Sequence, residues 1–134
     1  MIVSCWDDAE KSIIRHDFQG KWTWKEFFDA EVLANEMASS VPHRVDIIAN
    51  MRAGYMPPDN ALANARALIL RRTPNQGVIV VVVNPLLSMT VKVFKQVDTD
   101  FDKAVRAADS VNEAREAIKR ERELFPLPLE ASPK

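Results

Sequence analysis

Side chains able to carry chemistry are few in this chain and stand far apart. There is one cysteine, Cys5, and there are two histidines, His16 and His43. A nucleophile needs a base within hydrogen-bond reach and a third group to orient that base. The nearest approach to this pattern is His16 beside Asp17. Successive side chains on a strand point to opposite faces, so a hydrolase built on them requires a pocket around His16. A metal site asks for three or four ligands at local spacing. Two histidines and one cysteine on separate elements do not supply it. Three glycines in 134 residues leave no P-loop or dinucleotide fingerprint. The expectation is a chain without catalytic residues, metal ligands or a cofactor.

Composition narrows the function classes. A length of 134 residues with 47% hydrophobic content suits one domain with a proper core. The formal net charge of −1, with acids and bases interspersed, gives no electrostatic case for nucleic acid or an anionic membrane. "KRERE", Lys119 to Glu123, reads as a solvated helix end with i,i+4 pairing. Cys5 reads as a small strand residue, and a lone cysteine suits a reducing compartment, so a cytoplasmic location is expected. No apolar run reaches the length of a membrane span. The start "MIVSCWDDAE" has no basic segment, so it does not read as a signal peptide. The domain is expected over residues 1–123. The proline-rich segment 124–134, "LFPLPLEASPK", reads as an extended or partly disordered tail whose Leu124, Phe125, Leu127 and Leu129 offer docking groups.

The elements that must position any site follow from periodicity. Ile2 to Trp6 and Ser12 to Phe18 read as an antiparallel hairpin. Thr23 and Glu26 have capping-box spacing ahead of a helix with Phe27, Ala30, Leu33 or Ala34, Met37 and Val41 on its apolar side. Trp24 reads as core, and Trp22 as a staple against Phe27 or as an exposed aromatic contact. Val45 to Asn50 is the third strand. A second helix runs from Asn60 to Ile69 with Asp59 as its N-cap and Arg71 and Arg72 at its end. "VIVVVV", Val78 to Val83, is β-branched throughout and so belongs at the centre of a sheet. Asn84 and Pro85 start a third helix with Leu86, Thr90, Val93 and Val97 along one side and Leu87 and Phe94 beside them. Lys103 to Ala107 reads as a short fifth strand, with a helix as the other reading. Ser110 and Glu113 cap a last helix that buries Val111, Ala114 and Ile118. The predicted class is α/β: a mixed, mostly parallel five-stranded sheet opened by an antiparallel hairpin, with four helices in the order ββαβαβαβα.

The connection after the third strand lies where open α/β sheets keep their working residues. From Val41 to Arg72 it contains no serine or threonine. Met51, Arg52, Tyr55 and Met56 stand there with Pro57 and Pro58. Methionine adapts to irregular partners, and tyrosine and arginine favour interface cores. These residues, with Trp22, are the candidate contacts for a partner protein or for a small apolar, lipid-like ligand. The other reading is that they cap the core locally. Open sheet edges and the apolar tail also invite self-association as a homodimer.

The element order, the opening hairpin, "VDIIANMR" and "VIVVVV" resemble the STAS and SpoIIAA-like domains, the fold of bacterial anti-sigma-factor antagonists, over residues 1–123. That resemblance implies a regulatory protein-binding domain that is not an enzyme. In that family the third strand leads into an Asp-Ser-Ser-Gly type motif whose hydroxyl is phosphorylated. Here the matching positions are Met51 to Gly54, and only Gly54 fits, so the phosphorylation switch does not carry over.

Overall fold

The computed structural model describes residues 1–57 and 59–126. Pro58 and the tail positions Leu127 and Leu129 lie outside the described residues. The elements, in chain order, are β1 (Ile2–Trp6), β2 (Ile13–Gly20), α1 (Trp24–Ser39), β3 (Val45–Gly54), α2 (Ala61–Leu70), β4 (Gln76–Val82), α3 (Pro85–Val97), α4 (Thr99–Ala104), β5 (Val105–Ala108) and α5 (Val111–Leu124). One sheet has the order β1-β2-β3-β4-β5. β1 is antiparallel to β2, and every other pair is parallel. The predicted class is therefore the observed one, with five helices rather than four among the described residues.

Alternation divides the sheet into two faces. Val45, Ile47, Ala49 and Met51 of β3 face the layer of α1 to α4. Ile48, with Val78, Val80 and Val82 of β4, packs under Ala114 and Ile118 of α5. β4 lies between two parallel neighbours and is largely buried, as its β-branched run requires. Ile47 stands opposite Ile79 and Asn50 opposite Val82, so β3 and β4 run side by side in one direction.

Local chemistry sets the helix starts. Thr23 Oγ1 accepts from Glu26 N at 3.1 Å while Thr23 N donates to Glu26 Oε1 at 3.0 Å, completing the capping box. Asn84 Oδ1 accepts from Leu87 N at 2.9 Å ahead of Pro85. Ser110 Oγ accepts from Glu113 N, but the Glu113 carboxylate takes the N–H of Asp109 instead of closing back on Ser110. α2 departs from expectation. Its N-cap is Asn60, in the left-handed region at φ 53°, with no side-chain cap, and Asp59 does not cap it. Arg71 is the C-cap and Arg72 lies beyond the helix, where it donates to the carbonyls of Ile69 and Gly77.

Three other expectations are corrected. Segment 99–104 is a helix, because Asp98 caps it by accepting from Phe101 N at 2.9 Å; the strand begins only at Val105. On α1 the expected stripe holds in part: Ala34 is buried and Phe27 and Met37 pack half-buried against the core, but Leu33 is exposed and Glu31 and Ala38 complete the inward face. On α3 the inward residues are Leu87 and Val91, while Leu86, Val93 and Val97 face outward. Both stripes recur at helical spacing, so periodicity alone does not choose between them.

Candidate functional site

Backbone pairing decides where the connection after β3 begins. β2 extends to Gly20 and pairs Gln19 with Ala53 and Gly20 with Gly54, so β3 runs four residues past Asn50. Met51 and Arg52 are therefore strand residues, and alternation sends them apart. Met51 is 4% exposed and belongs to the core, which corrects its assignment to an exposed contact patch. Arg52 projects to the face of α5, where its Nη1 donates to the carbonyl of Asp109 at 2.6 Å. Trp22 is also buried. It staples against Phe27 at 5.7 Å and packs edge-on to Phe18 and Trp24, so its reading as an exposed contact is corrected as well.

Tyr55 is exposed, and Met56 is half-buried against the core. They lie at one end of a groove of about 880 Å³ between α2 and α3. Leu62 contributes from α2, and Leu86, Thr90 and Phe94 contribute from α3. Asn84 fixes this corner: its Nδ2 reaches the carbonyls of Arg52 and Gly54, both at 3.4 Å, while its Oδ1 caps α3. At the far end Arg66 pairs with Asp98 at 3.5 Å and Asp100 at 3.2 Å. The groove thus has apolar walls and polar ends. Beneath it, between the sheet and the helices, lies an apolar cavity of about 60 Å³ that touches Met51, Met56 and Phe101. A cavity of roughly 150 Å³ is the size that accepts benzene, so this void is too small for a lipid-like chain.

The histidines and the cysteine are dispersed. His16 is 3% exposed, its Nδ1 lies 2.6 Å from Ser4 Oγ, and Phe27 packs across its ring. Burial holds its pKa down at about 4, against the favourable charge of Asp17. Asp17 is on the opposite face, where it accepts from Arg15 and Asn50. A ring so enclosed leaves no room for a substrate beside it. His43 binds the carbonyl of Lys11 at 2.9 Å. Cys5 is half-buried on β1. Among the described residues no cluster of three or more His, Cys, Asp or Glu could hold a metal ion. No described helix is long and apolar enough to cross a membrane.

Two features escape sequence reasoning. The first is Asp46, fully buried in β3. It pairs with Arg44 at 3.0 Å and Arg122 at 2.7 Å, and Val78 N donates to it at 2.7 Å. Arg122 also donates to the carbonyl of Ser12 at 2.7 Å, and Arg106 pairs with Glu121. The run 119–123 therefore clasps α5 to the sheet and is not merely a solvated end. The second is Glu31, 8% exposed, whose Oε2 has no hydrogen-bond partner. Burial raises its pKa to about 7, opposed by Arg71 and Arg72. A buried acid on a strand or a helix looks like any other acid in sequence; only the partners distinguish it.

The fold is a mixed α/β sheet with helices on both faces, and a groove lies between α2 and α3. Comparison with family models, with curated proteins and with solved structures finds no match.

Proposed function

We propose that this protein is a non-enzymatic, STAS-like interaction domain that docks a partner protein through the α2–α3 groove at the carboxyl edge of the sheet. The carrying observation is the groove itself: Leu62 of α2 and Leu86 and Phe94 of α3, with Tyr55 of the β3–α2 connection, form its apolar walls, and Asn84 ties the end of β3 to the start of α3. Grooves between helices take amphipathic segments by burying their apolar side. Tyr55 and Leu86 are exposed and large, the kind of side chain that gains most from such burial. The segment from Val41 to Arg72 carries no serine or threonine, so the docking proposed here involves no serine or threonine phosphorylation switch. The test is affinity capture from native lysate with the unaltered protein and with Tyr55→Asp. Partners held by the first and lost by the second support the reading; identical recoveries, or none, count against it.

A small apolar ligand is the second reading. The internal void is too small, so such a ligand would occupy the same open groove. Native mass spectrometry of protein purified from cells separates the two readings: a co-purifying small molecule favours the ligand.

A further inference from the structure

A cleft at the amino edge of β4 carries positive charge that its own carboxylates leave unmatched. Its volume is about 520 Å³, and it shares no lining residue with the α2–α3 groove. Arg44, Arg72, Lys103 and Arg106 line it, against two carboxylates, Asp100 and Glu121. Arg44 pairs with Asp46 at 3.0 Å, Arg106 pairs with Glu121, and Asp100 pairs with Arg66 at 3.2 Å. Arg72 and Lys103 differ: among the described residues neither has a carboxylate oxygen within 4.0 Å. Arg72 donates to the carbonyls of Ile69, at 3.1 Å, and Gly77, which satisfies hydrogen bonds without neutralising the charge. Burial holds its pKa below the ordinary arginine value, against the more distant charges of Asp46 and Glu31. The helix ends here do not repel an anion with bare carbonyls. Arg72 covers that of Ile69, and Arg106 Nη1 covers those of Asp102 and Lys103 at 3.2 and 3.1 Å.

We infer that this cleft binds a small phosphate monoester, its phosphate held between Arg72 and Lys103 and its apolar body laid over Leu70 and Phe125. Charge carries the choice of phosphate. The two unmatched cations come from different elements, the turn after α2 and the helix α4. A dianion has an oxygen for each, whereas a single carboxylate neutralises one. The planar guanidinium and the compact ammonium both suit phosphate oxygens. Apolar surface carries the choice of body. Leu70 is 62% exposed and Phe125 66%, and both line the cleft beside Ile69 and Ala104. Phe125 is held at the rim by its carbonyl, which accepts from Arg44 Nη1 at 3.0 Å. The volume falls within the range of about 300–1,000 Å³ usual for small-molecule sites. Tyr55 lies at the opposite edge of the sheet, so this site stands whether or not the groove docks a partner.

Titration with phenyl phosphate, followed by amide chemical shifts, tests the site. A probe this small binds with a Kd of about 1 mM. The amides of Leu70, Gly77 and Lys103 move, and those of Ser110 and Asn112, at the carboxyl edge of the sheet, do not. Lys103 is exposed, so Lys103→Gln keeps the thermal melt and weakens binding about fivefold or more, while Lys119→Gln on α5 leaves binding unchanged. Arg72 also holds the end of α2, so the charge test uses Lys103. Benzoate and inorganic phosphate separate the two parts of the ligand: each binds about fivefold more weakly than phenyl phosphate. No movement at Leu70, Gly77 and Lys103 up to about 20 mM, equal losses from Lys103→Gln and Lys119→Gln, or shifts centred on Ser110 overturn the inference. Benzoate binding as tightly as phenyl phosphate overturns the choice of phosphate. Inorganic phosphate binding as tightly overturns the apolar body.

Discussion

Replacing Asp46 by alanine removes the acceptor for three donors at once: Arg44, Arg122 and the Val78 amide. The carboxylate is fully buried, and the side chains of Arg44 and Arg122 are 13% and 32% exposed. Breaking a buried pair from one side costs about 3–5 kcal/mol, because the surviving charge stays desolvated. Arg122 retains part of its water, which places the expected loss near the middle, at about 4 kcal/mol. Domains of this kind have about 5–15 kcal/mol in total, so the variant is folded but marginal. With an m-value of about 2 kcal/mol/M, the urea midpoint falls by about 2 M. Arg122→Met keeps the aliphatic stem, loses the same ion pair and the Ser12 contact, and costs about 2 kcal/mol. Because both changes remove one shared interaction, the double variant loses less than the sum by about 1 kcal/mol or more. A loss below about 1 kcal/mol for Asp46→Ala, or strict additivity in the cycle, refutes the reading of Asp46 as the anchor between α5 and the sheet.

Gly77→Ala is expected to cost about 2–3 kcal/mol in the same assay, since a Cβ there would overlap Asp46 Oδ1 and the Arg44 guanidinium. Glu31→Gln is expected to stabilise near neutral pH. The pKa of Glu31 is raised from 4.5 to about 7. Its neutral form favours folding below pH 4.5, and that contribution is lost as pH rises through 7, so the amide gains about 1–3 kcal/mol at about pH 8 and nothing at acid pH. No difference between the two conditions contradicts the burial argument. His16 acts in the opposite sense. Its pKa falls from 6.5 to about 4, so its stabilising contribution is complete above pH 6.5 and disappears as pH falls toward 4, a change of about 3 kcal/mol. The two slopes oppose each other between pH 4.5 and 6.5, so removing Glu31 exposes a steep acid loss that His16→Gln abolishes.

The parallel core was legible because its residues admit one environment. A run such as Val78 to Val83 has no polar face to give to water, and Asn84-Pro85 ends it in only one way. The site was less legible. Met51 and Arg52 read as loop because nothing in their own sequence announces the extension of β2 to Gly20 that pairs with them. Once paired, strand alternation sends one to the core and the other to α5. Tyr55 and Met56 follow the last paired residue, so strand alternation does not fix them, and they line one end of the groove. On α3 two apolar stripes compete, and the buried one is selected by where α4 and the sheet lie, information that comes from elsewhere in the chain. Asp46 and Arg122 stand 76 residues apart, and nothing local joins them.

Site-specific photocross-linking in native cells addresses the docking groove most directly. A photoreactive side chain in place of Tyr55, at the groove mouth, is compared with one in place of Lys119, on exposed α5. A discrete protein adduct from position 55 and none from 119 is the expected result. Equal labelling from both positions, or no adduct from position 55, contradicts a docking role for the groove.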